Sequence, residues 1–107
     1  MNRSDEQRVA DILEYAQYLE ALVAKGKDNY KQDVTQQFAL ERIVEVISEA
    51  CSKLTEDFKS QHPDLPWKSI INMRIVLAHI YHRVDSDLVW DTAKDSIPVL
   101  VSALKSK

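Results

Sequence analysis

The segment Arg74-Ile75-Val76-Leu77-Ala78-His79-Ile80-Tyr81 sets an arginine, a histidine and a tyrosine in an otherwise apolar run. A guanidinium presents a planar fork of donors that suits a phosphate, and an imidazole can take or give a proton near neutral pH. Charged and titratable groups inside an apolar run are costly unless they are paired or used. On an ideal helix, Arg74 and His79 lie about 140° apart around the axis, whereas Arg74 and Tyr81 nearly share a face. Two arrangements would unite Arg74 with His79: a helix distorted between them, or a second copy of the chain completing the site across a two-fold axis. A purely structural reading competes, in which His79 is a satisfied core or boundary residue and Arg74 pairs with Glu49 or Asp85.

The elements that must carry this segment read as helices. Ser4 offers a hydroxyl cap, Gln7 completes a capping box, and Asp5 and Glu6 suit the positive end of the dipole. Val9, Ile12, Leu13, Ala16, Leu19, Leu22 and Val23 then recur at helical spacing until Gly26, a natural stop. Lys27 to Asp33 is polar and reads as a loop. A second helix is predicted from about Val34 to Phe58, with Ala39, Ile43, Val46, Ile47, Ala50, Cys51, Leu54 and Phe58 as its stripe. Two prolines in Gln61-His62-Pro63-Asp64-Leu65-Pro66 break the chain, and Pro66 fits the first turn of a third helix over about Trp67 to Val84. That helix is apolar on several sides, as expected of a central helix or one in an oligomer interface. Asp85-Ser86-Asp87 caps a fourth, whose apolar residues run from Leu88 to Leu104 and which Pro98 should kink or break. The reading is an all-α, up-and-down four-helix bundle forming one domain over residues 1–107.

Composition narrows the classes. At 45% hydrophobic and 29% charged residues, with one glycine, the chain is a globular helical protein rather than a disordered one, and a glycine-rich phosphate loop is excluded. A net charge of -3 argues against nucleic-acid binding by bulk electrostatics and leaves room for a local basic cleft. Cys51, the one cysteine, lies on an apolar stripe and reads as a buried, inert thiol. No stretch approaches the roughly 20 apolar residues of a membrane span, and the N-terminus lacks the pattern of a signal peptide, so a cytoplasmic protein without membrane association is expected. His79 and His82 could face one way on a helix, but no third ligand accompanies them, so no metal site is expected.

The order arginine, four residues, histidine, one residue, tyrosine in Arg74, His79 and Tyr81 resembles the signature of HEPN-domain toxins of the HepT type. Asp11-Ile12-Leu13, Ile47-Ser48-Glu49-Ala50, Pro66-Trp67-Lys68-Ser69-Ile70 and Val84-Asp85 look like further landmarks of that family, so the likeness spans nearly the whole chain. The resemblance implies a HEPN-type bundle that dimerises and cleaves RNA, with transfer RNA a candidate substrate, without a metal or other cofactor. It assigns His79 to proton transfer at the ribose 2′-hydroxyl and Arg74 to the scissile phosphate. It also implies a type VII-like toxin–antitoxin pairing. There an MntA-like nucleotidyltransferase antitoxin, within a larger hetero-oligomer, would adenylylate Tyr81 and so place bulk and negative charge beside the site. Glu49, Lys68, His82 and Arg83 are candidates for supporting the site or binding RNA.

Two positions depart from the family's usual pattern. Ile75 follows the motif arginine where a polar residue, often asparagine, is common, and Ser48 stands where glycine usually precedes the glutamate. The alternative they raise is a non-catalytic helical partner of a nucleotidyltransferase.

Overall fold

Apolar residues spaced three and four apart dictate where each helix turns inward, and the computed structural model describes residues 3–78 and 85–105. His79, Tyr81, His82 and Arg83 lie outside the described residues. Helix α1 (Arg3–Val23) buries Ile12, Ala16, Leu19 and Leu22, with Val9, Leu13 and Val23 at the edge of that face. Fully burying side chains of this size contributes about 1.5–3 kcal/mol each. Ser4 is already helical and exposed, so it is not the residue that opens the helix. Asp5 is instead the buried anchor of this end: its carboxylate accepts from the Thr55 amide at 3.0 Å and from the Thr55 hydroxyl at 2.8 Å.

The polar stretch after Gly26 is not a loop but a short helix, α2 (Lys27–Gln32). Gly26 supplies the positive φ of 93° that turns the chain into it. What stabilises so short a helix is Tyr30, which is fully buried, stacks against Trp90 with centroids 5.1 Å apart, and donates its hydroxyl to the Ser86 carbonyl at 2.9 Å. Asp33 then caps α3 (Val34–Lys53) by accepting from the Thr35 and Gln36 amides.

The buried face of α3 is Leu40, Val44, Ile47, Ala50 and Cys51, rotated slightly from the expected stripe; Ala39 is exposed, and Ile43 and Val46 are half-buried. The helix ends at Lys53 rather than continuing to Phe58, because Leu54 turns extended and Thr55 begins a new helix, α4 (Glu56–Ser60), by accepting from the Phe58 amide at 3.1 Å. Asp5 holds that break from across the chain. The proline segment follows, clamped by the Trp67 indole donating to the His62 carbonyl at 2.9 Å.

Helix α5 (Trp67–Ala78) buries only Ile70, Met73 and Leu77, while Ile75 and Val76 are 50% and 39% exposed. Its apolar character on several sides therefore leaves a greasy outer face. Asp85 caps α6 (Ser86–Asp91), which runs through a π turn (Thr92–Ser96) into α7 (Ile97–Lys105). The distortion expected of Pro98 lies just ahead of it, where the wider turn absorbs the loss of a helical donor. Helix α3 packs against both α1 and α5, and α7 closes on α1. The result is an all-α bundle with one contiguous apolar cluster and no strand among the described residues. No helix among them is long and apolar enough to cross a membrane.

A candidate phosphate-binding cleft

Helices α1, α3 and α5 each present polar residues along one side, and together they line a cleft of about 590 Å³. Helix α1 contributes Arg8, Asp11 and Tyr15, three residues at helical spacing. From α3 come Arg42, Glu45, Glu49 and Lys53, which again follow one face. Helix α5 contributes Arg74 and, one turn on, Ala78. The cleft thus reaches the residue directly before His79.

Most charges in the cleft are paired along their own helix. Arg42 bonds Glu45 at 3.2 Å, Lys53 lies 3.8 Å from Glu49, and Arg8 lies 4.0 Å from Asp11. Among the described lining residues, four cations thus meet three carboxylates, and each carboxylate already has a basic neighbour. Arg74 is the cation left over. No ion pair among the described residues engages it, and its Nε is buried without a hydrogen-bond partner. The two carboxylates that sequence offered it are otherwise occupied, Glu49 beside Lys53 and Asp85 in capping α6. A buried donor without an acceptor costs free energy that a bound anion would recover.

Glu49 and Arg74 both line the cleft. Lys68 does not join them; it lies at the start of α5 in a separate depression with Glu56, Lys59 and Trp67. Sequence reasoning passed over Arg8, Tyr15, Arg42 and Lys53. Their helical spacing was visible, but nothing in a linear pattern says that two such faces meet across a third helix. Cys51 is buried as expected, and burial pushes its thiol up to about 12, which leaves it no nucleophilic role. Among the described residues, no group of three or more His, Cys, Asp or Glu side chains is arranged to hold a metal ion.

This bundle, with a cleft lined as far along α5 as Ala78, is matched by a known family. Residues 12–106 match the family described as ribonuclease HepT-like, and the chain belongs to it. A probable ribonuclease HepT of Thermococcus cleftensis is 36% identical over 94% of this chain and 92% of its own length. A putative RNase of Caldanaerobacter subterraneus is 32% identical over 88% of this chain and 85% of its own. Another putative RNase, from Methanocaldococcus jannaschii, is 33% identical over 83% of this chain and 80% of its own. No solved structure is matched.

Proposed function

We propose that this chain is an endoribonuclease toxin of a type VII-like toxin–antitoxin pair, whose Arg74 and His79 act together at the interface of a homodimer. The observation that carries the reading is the buried Arg74 Nε without a hydrogen-bond partner, in a cleft that Ala78 also lines, the residue next to His79 in sequence. In the reaction the ribose 2′-oxygen attacks the adjacent phosphorus and the bond to the next nucleotide's 5′-oxygen breaks. The products carry a 2′,3′-cyclic phosphate and a 5′-hydroxyl. His79 takes the 2′-proton or supplies one to the leaving oxygen, and Arg74 neutralises charge that builds on the phosphoryl oxygens. Proton transfer and charge neutralisation both come from side chains, so cleavage is expected in EDTA.

The dimer is supported by the exposed Ile75 and Val76 on α5, apolar area that a second copy would cover. A composite site would also reconcile Arg74 and His79 with their separation around the helix. Tyr81, two residues beyond His79, is the acceptor for AMP from an MntA-like nucleotidyltransferase antitoxin; the added phosphate would repel RNA. Glu49 and Lys53 would then set the charge at the edge of the phosphate site.

The test is cleavage of a transfer-RNA pool in EDTA by the parent protein and by His79→Ala, with helicity compared. Cutting by the parent alone is the expected result; equal cutting by a clean His79→Ala preparation contradicts the assignment. If neither cuts, the intact mass decides. Added AMP means a silenced toxin, and an unmodified inert chain favours the non-catalytic partner.

A further inference from the structure

Arg74 is not the only arginine in the cleft with an unused donor. Arg8, on the opposite wall in α1, also has a buried Nε with no hydrogen-bond partner. Its one ion pair is with Asp11, one turn along the same helix, at 4.0 Å and with both side chains well exposed. That separation is too long for a hydrogen bond, and an exposed pair of this kind holds a side chain only weakly. Arg42, by contrast, is committed to Glu45 at 3.2 Å. Two arginines from different helices therefore line one cleft, each with a buried Nε that has no hydrogen-bond partner. An Arg fork gains most from a phosphate, whose oxygens can take paired charge-assisted bonds.

We infer that Arg8 forms a second phosphate subsite, which binds the RNA phosphodiester next to the one held by Arg74. The inference rests on the proposed role of Arg74 at the scissile phosphate and adds a substrate-positioning residue to it. A cleft of about 590 Å³ that both arginines line is large enough to take a nucleotide unit. Asp11 shields Arg8 in the unbound protein and limits the net charge, so phosphate binding is confined to a chain that also reaches Arg74. This subsite would make the enzyme prefer substrates with a phosphate beside the cut over a dinucleotide that has only the scissile one.

The experiment uses the full-length protein and the variants Arg8→Gln, Arg8→Lys and Lys94→Gln, the last an exposed charge outside the cleft. Cleavage is measured on a dinucleoside monophosphate and on an RNA hexamer. Binding is measured by anisotropy of a labelled 2′-fluoro hexamer, which lacks the attacking hydroxyl. Loss of Arg8 should raise KM for the RNA hexamer about 10–100-fold with kcat nearly unchanged, and leave the dinucleotide unaffected. It should also lower the salt dependence of 2′-fluoro hexamer binding by about 0.7, which Lys94→Gln should not do. Arg8→Lys should keep the salt slope and lose part of the affinity, which separates loss of the fork from loss of fold. Equal losses on both cleaved substrates, or 2′-fluoro hexamer binding that Arg8→Gln does not change, would overturn the subsite. If a parent of unmodified intact mass binds the 2′-fluoro hexamer through Arg8 but cuts no RNA, the subsite stands and the nuclease reading falls.

Discussion

Polar groups are treated in opposite ways at two places in this molecule. Where α2 meets α6, polar groups find partners far away in sequence. Tyr30 donates to Ser86, Lys31 bonds both Ser86 at 2.8 Å and Asp87 at 3.0 Å, and Lys27 lies 3.6 Å from Asp87. The Lys31 bond and the nearby lysine charges hold the Asp87 carboxyl below its ordinary range. Burial, reinforced by Glu41, Asp87 and Asp85, pushes the Tyr30 hydroxyl up to about 12. In the α1–α3–α5 cleft, charges are paired only with neighbours on their own helix, and two arginine donors are buried with no partner. The first region serves the fold. The second is the region that the proposed function assigns to the RNA phosphate. Position sharpens the contrast, since Asp85 and Ser86 follow the motif segment while Arg74 and Ala78 lie within it.

Substitutions in the partnered regions should act on stability, and those in the cleft on activity. The largest stability effect is expected of Tyr30→Ala, which leaves a cavity beside Trp90 and strands the Ser86 carbonyl. A loss of about 3–5 kcal/mol, read by urea unfolding, is expected. A small effect would mean that Tyr30 is not what stabilises α2. Asp5→Ala should cost about 1–3 kcal/mol, since it leaves the Thr55 amide unsatisfied at the α3–α4 break; thermal melts would show it. Ser48 is a smaller case of the opposite sign. Its hydroxyl is fully buried on α3 with no partner, so Ser48→Ala should be neutral or stabilise by up to about 1 kcal/mol. Clear destabilisation by that change would show that the hydroxyl is bonded in solution.

Much of the fold was legible because it is local. The stripes of α1 and of α6 through α7, the stop at Gly26 and the disturbance near Pro98 all follow from spacing and from residues with special backbones. Helix α2 was misread as a loop because the case for it rests on Tyr30 meeting Trp90 and Ser86, more than fifty residues away. The break after Lys53 was missed for the same reason: Asp5 fixes Thr55 across the whole first half of the chain. For the site, the motif singles out Arg74, and Glu49 lines the same cleft. Arg8 could not be found from sequence, because a basic residue at a helix edge looks alike whether it faces water or another helix.

The most direct test of the central contrast is Arg74→Gln, measured for RNA cleavage and for thermal melting on the same preparation. A fall in kcat of about 100–1000-fold with an unchanged melting temperature is expected of a donor reserved for the reacting phosphate. Cleavage at the parent rate, or a loss of activity that only tracks a loss of folded protein, would contradict it.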